Sequence, residues 1–262
     1  MRRYWVPPES ISAGESSLGG QVHLRGPVFH HIFDVCRQEK GSRFEILDGQ
    51  GKAYLVEVME LSSHSAAARI LRTRPLPPPP LPRLSLALSV PRFPVFDSVV
   101  EKCVELGIHS IQPFFSQHSF VRSKDKISNS RLERWRKIVI TATQQSGRGD
   151  LMKVEAPIPW DEMIEMLNPS ARLKCLVAYE GPTTKTIENL LIEGEDWPRA
   201  EEIWIVVGSE GGFSQGEVKT FGDRGVPAVT LGDQVLRVET ACIALLAILK
   251  YEMGQFRLSK NN

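Results

Sequence analysis

Two hydrophobic rhythms run along this chain, one on either side of a proline-rich stretch. In the first seventy or so residues, short runs of β-branched and aromatic residues are separated by turn formers. Arg43-Phe44-Glu45-Ile46-Leu47 and Lys52-Ala53-Tyr54-Leu55-Val56-Glu57-Val58 flank Asp48-Gly49-Gln50-Gly51, and this spacing predicts a hairpin with glycines available for positive φ. Ser65 to Arg72 reads as a further strand. One helix is predicted over about Pro27–Arg37, with Pro27 in its first turn and Val28, Ile32 and Val35 along one face. A strand-rich unit with a single helix predicts a small barrel.

The break is Arg74-Pro75-Leu76-Pro77-Pro78-Pro79-Pro80-Leu81-Pro82-Arg83, six prolines in ten residues. Proline donates no ladder hydrogen bond and favours extended geometry, so this segment predicts a semi-rigid spacer. The expected division is therefore 1–73, a linker over 74–83, and 84–262.

Beyond the spacer, near-continuous apolar runs alternate with helical patterns. Strands are predicted at Leu84–Val90, Ser110–Phe115, Leu173–Tyr179, Ile203–Val207 and Ala228–Leu231. Helices are predicted at about Val95–Leu106, Ser128–Ser146, Trp160–Leu167, from Ser214 onward, and Glu239–Met253. Apolar strands alternating with helices imply an α/β fold, a parallel sheet covered on both faces.

Two of the strand ends carry chemistry. Ile205-Val206-Val207 runs into Gly208-Ser209-Glu210-Gly211-Gly212-Phe213, three glycines in five residues. Ser214 then caps a helix, with Glu217 at the capping-box position. Glycines here let a ligand approach the main chain and leave N–H and C=O groups to bind it. The second end is Leu231-Gly232-Asp233-Gln234-Val235-Leu236-Arg237-Val238-Glu239-Thr240-Ala241. Each loop alone has a structural explanation as a tight turn. Together they predict one slot, polar on one side and apolar at Leu231, Val235 and Leu236 on the other, suited to a flat heteroaromatic ring. The first loop lacks the GK[ST] ending of a phosphate loop and lacks GxGxxG, which argues against a nucleoside triphosphate or a dinucleotide. Ala241–Leu249 is apolar without interruption, and a helix apolar all round is buried all round, so a dimer is expected.

Composition removes several classes. No apolar run approaches the roughly 18 residues of a membrane span. Met1-Arg2-Arg3 has no apolar segment behind it, so no export signal is read. Cys36, Cys103, Cys175 and Cys242 are isolated and without metal-ligand spacing, which predicts reduced thiols, no metal and a cytoplasmic protein. The net charge is +1. Between Ser116 and Arg148, however, Arg122, Lys124, Lys126, Arg131, Arg134, Arg136, Lys137 and Arg148 face only Asp125 and Glu133. That local excess is either a solvated helix face or a phosphate-binding surface.

At its two glycine loops the sequence closely resembles the bacterial 16S ribosomal RNA uridine-N3 methyltransferases (RsmE family) of the SPOUT superfamily. Gly208–Phe213 matches the family's GPEGG[FL], and Leu231–Ala241 its LGxRVLRxETA. Glu101–Gly107 resembles its KxxELG helix end and Gln144–Arg148 its EQxGR. The stretch from His30 through Arg37, Gly41 and Arg43 is similar to its PUA-like RNA-binding barrel, so the resemblance spans essentially the whole chain.

The resemblance implies a deep trefoil knot in 84–262, a PUA-like β-barrel in 1–73, and a homodimer. It implies S-adenosylmethionine as cofactor, held by Ala178, Val207, Gly208, Glu210, Gly211, Gly212, Leu231, Gly232, Val235, Leu236, Thr240 and Ala241. The implied partner is 16S rRNA or the small ribosomal subunit, with N3 of uridine U1498 as target. RNA contacts are expected from Arg3, His30, Arg37, Arg43, Arg92, Arg122 and Arg148, the last placed in an exposed glycine-flanked turn. Ser209 stands where the family usually has proline, which should loosen the loop slightly. Gln234 replaces an arginine, and Pro91-Arg92-Phe93-Pro94 replaces a PKGDR-like stretch.

Methyl transfer from a sulfonium is an in-line displacement governed by placement. Uracil N3 offers a lone pair only after losing its proton, so the site must accept that proton or stabilise the anion. Arg237 is the candidate to stabilise charge on a uracil oxygen, and Glu210 to hydrogen-bond the base or balance the sulfonium. Arg237 could equally serve the loop by pairing with Glu239 or Glu210, while Thr240 is expected to cap or orient the last loop. Two rival readings are a knotted methyltransferase acting on another rRNA or tRNA site, and a non-catalytic RNA-binding ribosome-assembly protein.

Overall fold

The computed structural model describes residues 1–12, 19–182, 185–193 and 196–257. The chain forms two compact units, Met1–Pro78 with Ile140–Leu151, and Pro79–Val139 with Met152–Asn262.

In the first unit the strands are β1 (Arg3–Trp5), β2 (Ile11–Ser12), β3 (Gln21–Arg25), β4 (Arg43–Leu47), β5 (Lys52–Leu61) and β6 (Ser65–Pro75). They form one six-stranded sheet in the order β1-β4-β5-β6-β3-β2. Every pair is antiparallel except β1 with β4. Two register shifts between β5 and β6, at Leu55/Val56 and Val58/Glu60, add twist to this long ribbon. The predicted helix is present in altered form. α1 (Gly26–Phe29) passes directly into a wider π turn at His30–Val35. That turn sends Phe29, Ile32 and Phe33 into a core with Tyr4, Leu24, Phe44 and Ile46 and leaves Val35 exposed. Glu45 takes Arg74 and Arg3 as ion-pair partners at 2.9 and 3.2 Å. Hydrogen bonding from Arg74 above all holds its carboxyl below the usual range.

The stretch Ile140–Leu151 joins this unit through specific main-chain bonds. Trp5 N donates to Gln144 Oε1 at 2.9 Å, and Gly51 N to the Gly149 carbonyl at 2.8 Å. The proline-rich segment is less detached than a free spacer. β6 extends to Pro75, and Leu76 is buried against Leu47 and Ala53.

The second unit contains β7 (Arg83–Ser89), α2 (Phe93–Glu105), β8 (Ser110–Phe115), the start of α3 (Asn129–Ser146), β9 (Lys153–Val154), β10 (Ile158–Pro159) and α4 (Trp160–Met166). There follow β11 (Leu173–Ala178), α5 (Ile187–Glu193), β12 (Glu202–Val207), α6 (Gln215–Asp223), β13 (Ala228–Val229) and α7 (Val238–Glu252). The sheet runs β10-β8-β7-β12-β11-β13, with β9 also on β8, and every pairing is parallel. β8 is buried at all six positions, and β7 and β12 at all but their first, as strands covered on both faces require. α2 begins two residues before its predicted start because Pro94 needs no donor in the first turn. β13 is shorter than predicted; beyond Val229 only Thr230 is bridged, to Thr186.

α7 is tied to α2 by a buried cation. Lys250 is 8% exposed, and its Nζ donates to the Leu106 carbonyl at 2.6 Å, at the negative end of α2. Lys250→Met preserves volume but leaves that carbonyl without this charged donor. Its expected cost is about 1–3 kcal/mol, read as a lower urea midpoint at unchanged m-value.

Candidate active site

Open parallel sheets bind ligands beyond the carboxyl ends of their strands. Here the ends of β11, β12 and β13 surround a cavity of about 480 Å³, joined by Arg92 and Val95 from the start of α2. Its walls come from three loops: Ala178–Glu180, the stretch after Val207, and Val229 to Val238. The two glycine loops therefore face one cleft.

The first loop folds back on itself. Gly212 N donates to the Ser209 carbonyl at 2.9 Å, and Gly212 sits at φ +62°. A Cβ at Gly208 would lie 3.1 Å from the backbone of Gly212, an approach that no neighbouring side chain can relieve. Glycine lets the two sides of this turn lie this close without displacing the main chain. After the loop, Ser214 N donates to Glu217 Oε2 at 2.9 Å and Glu217 N to Ser214 Oγ at 3.4 Å, which starts α6 as predicted.

At Ser209, where a slightly looser turn is expected, the side chain supplies a tether of its own. Ser209 is buried, and its Oγ donates to the His118 carbonyl at 2.6 Å. His118 Nδ1 in turn donates to the Gly211 carbonyl at 2.9 Å. A hydroxyl and an imidazole thus supply the restraint that a proline ring would have given.

Of the cofactor residues expected from sequence, ten line the cleft: Ala178, Val207, Gly208, Glu210, Gly212, Leu231, Gly232, Val235, Leu236 and Ala241. Gly211 does not; its carbonyl is taken by His118. Thr240 does not either, and it caps nothing. It lies inside the first turn of α7, where Arg237 holds the cap position with extended backbone. Sequence reasoning missed Tyr179, Glu180, Val229, Asp233 and Glu239 in the wall. The signal for the first two was present, since Leu173–Tyr179 is another apolar strand ending in a turn, at Gly181-Pro182.

Arg237 and Glu210 both line the cleft. Glu210 Oε1 accepts from Arg92 N at 3.0 Å, so one oxygen ties the glycine loop to α2. Arg237 is exposed and makes no ion pair among the described residues, neither with Glu239 nor with Glu210. The charged lining is Glu180, Glu210, Asp233 and Glu239 against Arg92 and Arg237, an acidic balance that favours a cationic ligand over a polyphosphate.

The RNA candidates divide by their partners. Arg92 lines the cleft, and Arg122 is exposed in the second unit. In the first unit Arg37 is exposed at φ +55°, His30 meets Asp34 at 2.7 Å, and Arg43 pairs with Glu57. Arg3 bonds Glu45 and the Gln145 carbonyl. Arg148 departs from expectation. Its side chain is only 10% exposed, and one edge of its guanidinium, Nε and Nη2, is held by Asp150. Among the described residues no group of three or more His, Cys, Asp or Glu is placed to hold a metal, and no helix is long and apolar enough to cross a membrane.

Residues 77–250 match the family model of an RNA methyltransferase domain, and residues 24–71 that of an RNA methyltransferase PUA domain. The class is thus an RNA methyltransferase of α/β fold, built on a parallel sheet with a PUA-like N-terminal domain. Whole-chain relatives narrow it. A ribosomal RNA small subunit methyltransferase E from Aquifex aeolicus is 30% identical over 237 residues, covering 90% of this chain and 96% of that protein. The Bacillus subtilis protein of the same name is 26% identical over 262 residues, 98% of this chain and 99% of its own. Among solved structures, the Neisseria gonorrhoeae enzyme of that name, bound to S-adenosyl methionine, superposes with a TM-score of 0.81 at 29% identity, covering 98% and 100% of the two chains. This chain belongs to the ribosomal RNA small subunit methyltransferase E family.

Ser209→Ala removes one strut of the glycine loop. The expected result is about 1 kcal/mol lower global stability and faster hydrogen exchange at the Gly212 amide, with exchange in β8 unchanged. Equal protection of Gly212 in both proteins would refute the bracing role.

Proposed function

We propose that this chain transfers a methyl group from S-adenosylmethionine, held in the cleft between its two glycine loops, to N3 of a uridine in 16S ribosomal RNA. The observation that carries the reading is the convergence of Gly208–Gly212 and Leu231–Leu236 on one acidic cavity. The cavity's size suits a nucleoside-sized ligand. Main-chain groups freed by Gly208 and Gly212 would read the adenine, Leu231, Val235 and Leu236 would cover its face, and the cleft carboxylates would favour the cationic donor. S-adenosylmethionine supplies an electrophilic methyl when bound.

The chain's own work is to place and charge the nucleophile. N3 becomes nucleophilic as its proton leaves, and the negative charge spreads to the uracil oxygens. An unpaired guanidinium at Arg237 lowers the cost of that charge. Glu210, one oxygen engaged by Arg92 N, keeps the other for the base or the sulfonium. Since N3 lies on the pairing edge, the uridine enters unpaired.

Four further features belong to this proposal. Residues 1–73 act as the RNA-binding barrel, 74–83 as the spacer and 84–262 as the catalytic domain. A trefoil knot in the latter is supported by the chain's path, which inserts β12 between β11 and β7 and then passes β11 again to reach β13. A homodimer is supported by α7, which buries Cys242, Leu245, Leu246 and Leu249 yet leaves Ile243 and Tyr251 exposed on the stripe through Ala247. Ribosomal RNA as substrate puts the enzyme in the cytoplasm.

Gly208→Ala is expected to weaken S-adenosylmethionine binding at least about tenfold by calorimetry, because the added methyl meets the Gly212 backbone. Arg237→Ala is expected to keep that affinity within about twofold while kcat falls about 100-fold. In cells, reverse transcription across small-subunit RNA stops at an N3-methyluridine. A stop that persists after deletion of this protein refutes the proposed target.

A further inference from the structure

The segment after β8 is pinned at four points. Ser119 Oγ bonds Ser89 Oγ at 2.9 Å inside a buried hydroxyl cluster that includes Ser116. Gln117 N donates to Glu217 Oε1 at 2.8 Å, His118 holds the Gly211 carbonyl, and Phe120 N donates to the Val90 carbonyl at 2.8 Å. Against this restraint the Phe120 ring stands 54% exposed. More than half of this apolar residue is thus held in water by a fixed backbone, a cost that its edge contact with one neighbouring ring offsets only in part.

Its neighbours indicate what covers it. Phe120 meets Phe93 edge to face, centroids 5.8 Å apart. The Arg131 guanidinium lies 4.3 Å over the Phe93 ring. Phe93 is the next residue after Arg92, which lines the cleft, and Arg122 is exposed two residues beyond Phe120. Aromatic faces interleaved with arginines, beside a cleft that would receive a base, match the way proteins hold single-stranded RNA: rings stack on bases and cations meet phosphates. Phe120 does not line the cleft itself, so it does not touch the base being modified.

We infer that Phe120, flanked by Phe93, Arg92 and Arg122, is a stacking platform for an unpaired nucleotide neighbouring the methylated one. The inference deepens the proposed function and rests on it for the identity of the RNA. Stacking on a fixed ring splays the neighbour out of its own stack and so presents the target at the cleft mouth. Phe120 is then a positioning residue that acts on substrate affinity.

The test uses the full-length protein and small ribosomal subunits from cells lacking it. Phe120→Ala is expected to raise the subunit Kd by filter binding, and the KM for subunits, about tenfold. S-adenosylmethionine affinity and thermal midpoint stay unchanged. Phe120→Trp restores binding, whereas Phe120→Leu, apolar but without a π face, does not. The platform is overturned if alanine changes subunit affinity less than twofold, if leucine restores it as well as tryptophan, or if the wild type binds no subunits. It is also overturned if Phe120→Ala shifts sedimentation to a smaller species, which would assign the ring to a subunit interface. A wild type that binds subunits but transfers no methyl refutes the proposed reaction, while the same binding series still decides the platform.

Discussion

The separation between Gly208 and Gly212 governs the rest of the site. A Cβ on Gly208 would sit 3.1 Å from the Gly212 main chain, so any larger residue there would push the two sides of the turn that closes β12 apart by a few tenths of an ångström. β12 lies at the middle of the sheet, paired with β7 on one side and β11 on the other. The turn is therefore carried by a central strand that is buried at every position but its first. Backbone groups at its tip keep their direction because the strand beneath cannot move without disturbing two ladders. A cleft built this way needs few side chains to define it, and its main-chain donors are organised before any ligand arrives.

Such a turn needs bracing from outside, and the segment after β8 provides it. Ser209 Oγ donates to the His118 carbonyl, the His118 ring donates to the Gly211 carbonyl, and Gln117 N reaches the Glu217 carboxylate that also caps α6. One carboxylate thus ends the glycine loop, starts a helix and fixes a second loop. The departure from proline at position 209 makes sense in this setting. A hydroxyl buried beside a free carbonyl fixes the turn by a bond at 2.6 Å where a ring would fix it by covalent geometry. The same bracing extends to Phe120, so that the glycine loop and the exposed ring share one support.

Sequence carried the strands well because their burial is two-sided. Runs such as Ile203–Val207 have no other explanation, and their ends marked the cleft. Departures fall where tertiary contacts override local signals. The predicted helix after Pro27 continues past Phe29 as a π turn, which local spacing did not announce, since Phe29, Ile32 and Phe33 stand at positions that one face of an ordinary helix also offers. Ile140–Leu151 looked like the continuation of a helix in the second half, yet Gln144 and Gly149 bond the first unit. No local pattern announces a side-chain amide that will meet Trp5 N more than a hundred residues away. The bracing by His118 was equally silent, since neither a histidine nor a serine in a turn declares its distant partner.

Charge shows the same limit, and partner carboxylates settle what counts of arginines cannot. Arg131 and Arg134 contribute to the basic cluster in sequence but share Asp97, at 3.7 and 2.7 Å. Arg148, 10% exposed and paired with Asp150, would have to leave a buried position before its charge could meet a phosphate. Arg43 differs, since its pair with Glu57 leaves its side chain 62% exposed. Exposed pairs contribute only about 0–1 kcal/mol, so a phosphate can replace Glu57 at little cost. Arg37, Arg92 and Arg122 carry no ion pair among the described residues, and no carboxylate need be displaced before they meet RNA. Counterion release then comes from a few separated cations instead of a continuous basic stripe. With a net charge of only +1, the chain lacks the broad field that attracts any polyanion, so each arginine without a carboxylate partner counts individually.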